Sequence, residues 1–265
     1  MRTTKRIICF DLDGTLLAKG ERIRSGDLEV LSQNDGTLFI PASGRSIPSV
    51  KEIFHKHGLF TDRPIHFPLV LQNGAITFLP DEKLFRVKTF EPEIQQKLVD
   101  VVEQFPHIPF FMVTDTYHFV LHPNAFSEES SQRYKFREGI FDRNDPAIQM
   151  TKIMALSTNP NILQPFYDAV TPLPVERAYS QANIVEVTPQ GVNKGNSLLE
   201  LLKELQIPET IEILVAGDGE NDLSLFSVAT RSFTLPHAEE KVRKAADFVI
   251  EPQEEGLFCE MVSHR

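Results

Sequence analysis

Two carboxylates one residue apart, Asp11 and Asp13, follow a short apolar run near the start of the chain. The run, residues Ile7 to Phe10, predicts a buried strand of a parallel sheet, and Gly14 then permits a tight turn. Ligands of open α/β sheets bind just outside the carboxyl ends of the strands, so both side chains stand where a reaction centre is expected. Thr15 adds a hydroxyl group and a backbone N–H to the same turn.

The closeness of these two carboxylates predicts a bound cation. Like charges at this separation destabilise each other unless a cation or a proton compensates them. Mg²⁺ suits the position because it prefers oxygen ligands and needs few protein groups beside phosphate and water. The alternative is a strand that ends in a solvated Asp-x-Asp-Gly turn with no chemical role.

Polar turns also follow the next two predicted strands. The strand Thr37 to Ala42 ends in Ser43-Gly44-Arg45, and a helix begins just beyond it. Hydroxyl and N–H groups at a helix start favour an anion, although a simple helix N-cap would use the same residues. The strand Phe67 to Leu71 leads into Asn73-Gly74, a pair that is also typical of a hairpin turn.

A lysine and an acidic turn lie in the last third of the chain. Lys194 stands near the start of a leucine-rich helix, where a lysine on its own is usually a solvated surface charge. The predicted strand Glu212 to Ala216 runs into Gly217-Asp218-Gly219-Glu220-Asn221-Asp222, which on its own reads as a glycine-rich turn with helix-capping acids. Each of these stretches has an ordinary structural explanation on its own. Their joint occurrence in one chain favours a functional site.

Composition and net charge limit the partners of the protein. The chain has 265 residues, of which 41% are hydrophobic and 24% charged, as in a globular protein of one large or two modest domains. Its net charge of -10 argues against general nucleic-acid binding and against docking on anionic membranes. A phosphorylated substrate would therefore have to be held by a local cluster of cations.

The two cysteines and the N-terminal segment bear on the compartment. Cys9 and Cys259 do not suggest a disulfide framework, which favours a reducing cytoplasm. The first apolar run ends at Asp11, too early for a signal peptide, and no stretch approaches the ~20 apolar residues of a membrane span. We expect a cytoplasmic protein without a membrane partner, either a monomer or a weak homodimer.

The middle of the chain predicts an insertion into an α/β core. From about Pro80 to about Val185, a pattern of helix, strand, strand occurs twice, which indicates a compact α+β module with an antiparallel sheet. The predicted fold class is α/β: a Rossmann-like parallel-sheet core, residues 1–80 and 189–265, interrupted by an inserted α+β module, residues 81–188. The polar stretch Ser127 to Arg143 carries no assignable element.

The polar turns, taken together, resemble the motifs of the haloacid dehalogenase-like superfamily of phosphohydrolases. Asp11-Leu12-Asp13-Gly14-Thr15 resembles the first motif, DxDGT, and Ser43 stands at the second. Lys194 stands at the third motif, and the acidic turn at 217–222 resembles the fourth. The four motifs appear in the order that the superfamily uses.

Three further features resemble the Cof-type subfamily of that superfamily. They are the insertion between the second and third motifs, the Asn73-Gly74-Ala75 turn, and the GVxKG context of Lys194. Members of this subfamily carry a type IIB cap and are mostly phosphatases of sugar phosphates or other small phosphometabolites. The resemblance covers roughly residues 6–79 and 186–250, and in the cap it extends only to the architecture.

The resemblance implies a role for each motif residue. Asp11 would be the nucleophile that forms an aspartyl-phosphate, and Asp13 would protonate the leaving oxygen and then deprotonate the attacking water. Lys194 would neutralise the phosphoryl group. The implied metal set for Mg²⁺ is Asp11, Asp13, Asp218 and Asp222. The implied phosphate- and substrate-binding set is Thr15, Ser43, Gly44, Arg45, Asn73 and Asn221.

The expected function is a Mg²⁺-dependent phosphohydrolase of small phosphorylated metabolites, with sugar phosphates as the expected class. Within enzymes, the alternative is a phosphomutase or a dedicated phosphatase of a disaccharide phosphate or a nucleotide cofactor. From another class, the alternative is a phospholigand-binding regulatory protein that has kept the fold and lost turnover, since a fold does not imply a function.

Overall fold

The structure is a computed structural model that describes residues 4–18, 20–33, 36–134 and 137–264. Its strands, in chain order, are β1 (Arg6–Phe10), β2 (Leu17–Ala18), β3 (Arg22–Ile23), β4 (Thr37–Pro41), β5 (Leu69–Leu71), β6 (Ile76–Leu79), β7 (Lys83–Val87), β8 (Phe110–Val113), β9 (Tyr117–Leu121), β10 (Arg137–Glu138), β11 (Lys152–Leu156), β12 (Val175–Gln181), β13 (Ile184–Pro189), β14 (Glu212–Ala216), β15 (Arg231–Thr234) and β16 (Phe248–Val249). Its α-helices are α1 (Ser25–Ser32), α2 (Ile47–Lys56), α3 (Pro92–Glu103), α4 (Ala125–Tyr134), α5 (Gln164–Ala169), α6 (Lys194–Glu204), α7 (Leu223–Phe226), α8 (Glu240–Ala245) and α9 (Leu257–Ser263). None of the helices in these ranges combines the length and the apolar character that crossing a membrane requires.

The central sheet has five parallel strands in the order β16-β15-β14-β1-β4. Strand β1 lies between β14 and β4, and Phe10 stands opposite Ala216 on one side and Pro41 on the other. Residues 7–10 are buried, as expected of a parallel strand that is covered on both faces. The parallel sheet with its flanking helices confirms the predicted α/β class.

The two faces of this sheet build two hydrophobic cores. Ile8 and Phe10 point into one core, where the rings of Phe10 and Phe258 lie 4.9 Å apart. Ile7 and Cys9 point into the other, because side chains alternate along a strand. Burial raises the pKa of the Cys9 thiol, so this residue is an apolar part of the core.

The carboxyl ends of neighbouring strands bring the polar turns to one edge of the sheet. Asp11 N donates to Ala216 O at 2.9 Å, and Ala42 N donates to Phe10 O at 2.8 Å. Strand β5 joins this edge through a parallel bridge between Ala42 and Val70. The turns after β1, β4, β5 and β14 are therefore neighbours although they are far apart in sequence.

A second sheet, with strand order β10-β9-β8-β11-β13-β12, forms the inserted module. It is antiparallel except for the β9–β10 pair. Helices α3 and α5 cover one face, where Leu98, Phe110 and Phe166 are buried together. The module boundaries at residues 80 and 188 stay a prediction. Strand β7, which follows residue 80, pairs with β6 in the small sheet β5-β6-β7.

Helix α4 lies where the sequence offered no assignable element. It begins with a reciprocal pair of hydrogen bonds: Ser127 N donates to Asn124 Oδ1 at 3.0 Å, and Asn124 N donates to Ser127 Oγ at 2.9 Å. Such end contacts fix the start of a helix. The helix is polar along most of its length, so it lacks the apolar stripe by which a helix is recognised in a sequence.

Candidate active site

The centre of the candidate site is a buried ammonium group between two carboxylates. Lys194 Nζ donates to Asp11 Oδ1 at 2.6 Å and to Asp222 Oδ1 at 2.7 Å. Lys194 is the first residue of α6, which begins there because the side chain of Asn193 caps it. Burial alone would lower the pKa of Lys194, but the two carboxylates outweigh it and raise that pKa. The ammonium group is therefore held in its charged form.

The acidic turn after β14 is closed by its own last residue. Asp222 Oδ2 accepts hydrogen bonds from the N–H groups of Asp218 and Gly219, both at 3.0 Å. Asp218 Oδ1 accepts from Thr15 Oγ1 at 2.7 Å, which ties this turn to the one after β1. Gly14 has a φ of +83°, and a Cβ atom there would lie 2.2 Å from Asp218 Oδ2, so only glycine fits this close approach.

The acids at this edge fit a divalent metal ion. Carboxylate oxygens of Asp11, Asp218 and Asp222 lie within 4.8 Å of one another. Burial raises the pKa of Asp11 well above its usual range; Lys194 opposes the shift, and the neighbouring carboxylates add to it. Mg²⁺ would relieve this repulsion with oxygen ligands of the type it prefers. Asp222 is already engaged by Lys194 and two backbone N–H groups, a geometry suited to orienting Lys194.

Arg45 lies against Asp13. Its Nε and Nη2 atoms donate to Asp13 Oδ2 and Oδ1, each at 2.7 Å. Nη2 also donates to Glu21 Oε1 at 2.7 Å, and Nη1 donates to Ser49 Oγ at 2.9 Å. The arginine side chain is 4% exposed. The sequence placed Arg45 at the substrate; that contact stays a prediction, and the observed contacts join Asp13 to the turn between β2 and β3.

The turn after β4 is held by the turn after β5. Ser43 N donates to Val70 O at 2.9 Å, and Asn73 N donates to Ser43 O at 3.1 Å. Ser43 Oγ accepts from Arg45 N at 3.2 Å. Asn73 is in the left-handed region, with a φ of +57°, a conformation that asparagine adopts more readily than most residues. Ser43 and Asn73 thus occupy fixed positions at the same sheet edge as Asp11.

Most of the predicted site residues line two adjoining cavities. The first cavity, of about 40 Å³, is lined by Asp11, Asp13, Gly44, Arg45, Ser180, Gln181, Ile184, Glu186, Asp218, Gly219 and Asn221. The second, of about 220 Å³, includes Asn73, Lys194 and Asn221 in its lining. Thr15 and Ser43 are buried next to these residues through their contacts with Asp218 and Arg45.

The inserted module contributes two charged residues that the sequence analysis missed. Lys152 Nζ and Glu186 Oε1 lie 2.5 Å apart and are both buried. Each interrupts an apolar strand, Lys152 at the start of β11 and Glu186 within β13. A charge inside an otherwise apolar strand is the signal that could have found them, since such residues are seldom buried without a partner.

His237 is another residue that the sequence did not indicate. Its Nε2 atom lies 3.2 Å from Asp218 Oδ2. This contact with Asp218 raises the pKa of His237 against the opposing effect of burial. His237 and Asp218 both line an open cleft of about 1030 Å³ beside the small cavity. The cleft gives the site access to solvent on the core side.

A model of the haloacid dehalogenase-like hydrolase family matches residues 8–258 of this chain. The chain belongs to the haloacid dehalogenase-like hydrolase family. The match confirms the resemblance drawn from the four motifs, and it extends through the inserted module, where the sequence carried no recognisable motif.

Several curated relatives of this hydrolase are named phosphatases. The 5-amino-6-(5-phospho-D-ribitylamino)uracil phosphatase YitU of Bacillus subtilis is 24% identical over 266 residues, covering 96% of this chain and 95% of YitU. Pyridoxal phosphate phosphatase YbhA of Escherichia coli is 25% identical over 264 residues, covering 93% of each chain. A match to the chloroplastic endoribonuclease YBEY of Arabidopsis thaliana, 29% identical over 89 residues, spans 34% of this chain and 15% of that protein. The family match and these full-length phosphatase relatives show that the protein is an enzyme, a phosphatase of the haloacid dehalogenase type.

Solved structures share the whole fold of this hydrolase. A haloacid dehalogenase-like hydrolase from Bacillus subtilis superposes with a TM-score of 0.81 at 20% identity, covering 98% of this chain and 100% of the other. The subclass IIB sugar phosphatase BT4131 superposes with a TM-score of 0.77 at 22% identity, covering 97% and 98%. At these coverages the likeness includes both the core and the inserted module.

Proposed function

We propose that this hydrolase is a Mg²⁺-dependent phosphatase of small phosphorylated metabolites, with sugar phosphates as the expected class, which acts through an aspartyl-phosphate. The observation that carries the proposal is the ammonium group of Lys194 between Asp11 and Asp222, with Asp218 alongside. These residues come from three separate segments and meet at one sheet edge. A buried charge cluster of this kind is costly for stability, which favours a catalytic purpose.

Asp11 is the nucleophile in the proposed reaction. Lys194 holds Oδ1 of Asp11, which fixes the direction of the other carboxylate oxygen. That oxygen attacks phosphorus in line and the ester bond breaks. Asp13, protonated on a carboxylate oxygen that Arg45 has released, gives its proton to the departing oxygen. Asp13 then takes a proton from a water molecule, which attacks the aspartyl-phosphate, releases inorganic phosphate and restores Asp11.

Positive charges and hydrogen-bond donors together would stabilise the phosphoryl group. The carboxylates of Asp11 and Asp218 and the carbonyl group of Asp13 would hold Mg²⁺, which would supply Lewis-acid charge neutralisation when bound. Lys194 adds a second positive charge, and Asp222 orients it. The expected hydrogen-bond donors to the phosphoryl oxygens are the hydroxyl groups of Thr15 and Ser43 and the N–H group of Gly44.

The closing hairpin, formed by β12 and β13, covers the reaction centre. Tyr179 N at its edge donates to Glu220 Oε2 of the core at 2.8 Å. The cavity beneath it, of about 40 Å³, holds no more than about three water molecules. A whole sugar phosphate is larger than this, so it must extend into the adjoining cleft or displace the hairpin. Exclusion of bulk water would strengthen the electrostatic interactions inside.

The proposal includes a cytoplasmic location, no nucleic-acid or membrane partner, and a monomer or weak homodimer. Supporting it, Cys9 and Cys259 are both free thiols, as is usual in a reducing compartment. The net charge of -10 opposes binding to anionic polymers and surfaces.

Phosphate release from a panel of sugar phosphates, nucleotides and phosphorylated cofactors, with Mg²⁺ and with EDTA, tests the function. Asp11→Asn is the blank, and Asp62→Asn, an exposed acid, is the matched control. We expect metal-dependent release that Asp11→Asn abolishes and Asp62→Asn retains. A folded, Mg²⁺-loaded protein that releases phosphate from none of the panel would overturn the proposal in favour of a phospholigand-binding protein. Isomerised sugar phosphate without free phosphate would identify a phosphomutase.

A further inference from the structure

The inserted module carries a buried ion pair on the sheet face that turns toward the core. Lys152 on β11 and Glu186 on β13 share that face with Met154, while Ile153 and Val187 point to the helix-covered face. Their side chains are 0% and 4% exposed. Apolar residues in place of a buried ion pair often leave a protein equally or more stable, so stability alone does not explain this pair.

Both members of the pair also contact the core of the enzyme. Lys152 Nζ donates to Gly44 O at 2.8 Å, and Asn73 Nδ2 donates to Glu186 Oε2 at 2.8 Å. A Cβ atom on Gly44 would lie 3.2 Å from both carboxylate oxygens of Glu186. The pair therefore sits directly on the turn that is expected to bind phosphate. Ser180 and Ile184 of the closing hairpin line the same cavity as Glu186.

Glu186 faces the reaction centre as a carboxylate. It lines the small cavity together with Asp11 and Asp13. Burial alone would raise its pKa, but the charge of Lys152 and hydrogen bonds from Lys152 and Asn73 outweigh burial and lower the pKa of Glu186. Since Asp13 is the proposed proton donor to the leaving oxygen, the first atoms of the leaving group must lie close to Asp13, in the space that Glu186 also borders.

The cations near Glu186 already bind carboxylates. Among the described residues that line it, Arg45 is the only side-chain cation, and it binds Asp13 and Glu21. Lys152, just behind the lining, binds Glu186. In the proposed function the phosphoryl group is neutralised from the core side, by Lys194 and the metal. Within this small cavity, a second anionic group on the leaving group would meet the carboxylates of Asp13 and Glu186, and Arg45, the cation of the lining, is already bound.

We propose that Glu186 is a specificity-determining residue that accepts a hydrogen bond from a hydroxyl or amino group of the leaving group and repels a second phosphate or carboxylate near the ester. Lys152 is the positioning residue that orients it. The inference rests on the proposed function and narrows its substrate class. The enzyme acts on monophosphates whose leaving group is a polyol or an amino alcohol, without a second acidic group beside the phosphoester.

Two matched series of small phosphomonoesters test this inference. The three-carbon series is glycerol 1-phosphate, propyl phosphate and 3-phosphoglycerate; the two-carbon series is 2-aminoethyl phosphate, ethyl phosphate and phosphoglycolate. Within each series the leaving group offers a donor, no polar group, or a carboxylate at similar size. We expect kcat/KM to fall in that order in the wild-type enzyme with Mg²⁺.

Substitution of Glu186 should reduce the differences in kcat/KM between the esters of each series. In Glu186→Gln the ratio of kcat/KM between the donor-bearing and the carboxylate-bearing ester should shrink about ten- to a hundred-fold, the effect of one hydrogen bond to a charged group. Because this change leaves Lys152 buried without its counter-ion, the double variant Lys152→Met/Glu186→Gln removes both charges and should lose the ranking in the same way. Glu93→Gln, an exposed acid on α3, is the matched control and should keep it.

The outcomes separate the inference from the proposed function. Ratios within about two-fold of wild type in both folded variants, checked by circular dichroism and thermal unfolding, would overturn the role of Glu186 and leave the phosphatase proposal standing. Two results with the wild-type enzyme would also overturn the role of Glu186 and leave the phosphatase proposal standing. One is that the carboxylate-bearing esters are hydrolysed best. The other is that no donor-bearing ester is hydrolysed although phosphate is released from other substrates. Failure to release phosphate from any substrate would overturn both.

Discussion

Arg45 holds both carboxylate oxygens of Asp13, with two hydrogen bonds of 2.7 Å from one planar guanidinium group. The same group binds Glu21, in the turn between β2 and β3. A two-point contact fixes the plane of the carboxylate as well as its position. Proton transfer to the leaving oxygen depends on that direction, and it requires one of these two oxygens to take up a proton, so Arg45 should act on the reaction through Asp13.

Arg45→Lys should slow the reaction in a way that depends on the leaving group. Lysine keeps the charge but cannot make the two-point contact, so we expect kcat/KM for an alkyl phosphate to fall about ten-fold or more. The loss for p-nitrophenyl phosphate should be smaller, because its leaving group departs without a proton. Steady-state kinetics on both esters check this, with Arg86→Lys, on β7 and paired with Glu200, as control. Equal losses on both esters would contradict a role through Asp13.

Lys194→Met should remove both activity and stability. It leaves the carboxylates of Asp11 and Asp222 buried without their shared cation, which should lower the free energy of unfolding by about 3–5 kcal/mol. We expect kcat to fall at least about 10²–10³-fold, as when a charge-stabilising group is lost. Urea unfolding and phosphate release measure the two effects. Lys203→Met, at an exposed position of the same helix, is the control. An unchanged unfolding midpoint would show that the ammonium group does not stabilise the cluster.

The contribution of Asp11 and Asp222 to the stability of the metal-free protein should grow as the pH falls. Burial raises the pKa of Asp11 and of Asp222, so the folded state binds protons at these groups more tightly than the unfolded chain does. The stabilisation therefore grows as pH falls through the folded pKa values and levels off near the unfolded value of about 4. Mg²⁺ competes with these protons and should flatten the dependence.

Thermal unfolding between about pH 8 and pH 5, with EDTA and with Mg²⁺, measures that dependence. Asp11→Asn removes one of the responsible groups, so its slope should be smaller than that of wild type. Asp62→Asn should keep the wild-type slope because Asp62 is exposed. A slope that is the same in wild type and Asp11→Asn would show that Asp11 does not take up a proton on folding.

Asn73→Asp should weaken the contact between the inserted module and the core. The amide of Asn73 donates to Glu186 at 2.8 Å and accepts from Asn221 Nδ2 at 3.1 Å. Aspartate tolerates the same left-handed backbone but places a second carboxylate against Glu186. We expect KM to rise about ten-fold, the equivalent of about 1.4 kcal/mol, and hydrogen exchange in β12 and β13 to accelerate.

Asn159→Asp is the matched control for this change. Asn159 is an exposed residue of the same module whose side chain accepts a hydrogen bond from Asn161 N, a role that aspartate can fill. Its KM and its hydrogen exchange should equal those of wild type. Unchanged exchange in Asn73→Asp would mean that the Asn73–Glu186 contact does not hold the hairpin in place.

The regular parts of the fold and the core of the site could be predicted because their signals are local. Strand β1 is a continuous apolar run, β14 matches its predicted bounds of 212–216, and α6 has a leucine-rich face. The turns with Asp11, Ser43 and Asp218 each follow such a strand, and the carboxyl ends of parallel strands share one edge. Helix α4 could not be predicted, since it is polar and lacks periodicity.

The sequence by itself determined the α/β class, the family and the residues around Asp11, since these depend on short patterns within single segments. Only the tertiary structure decided the partners of the charges. Arg45 turned to Asp13, 32 residues away, and Lys152 reached Gly44, 108 residues away. A charged side chain binds whichever opposite charge the packing of the chain brings within reach, and a sequence pattern does not record that distance. For the same reason, the position of the Glu186 carboxylate in the cavity depends on how the inserted module packs against the core.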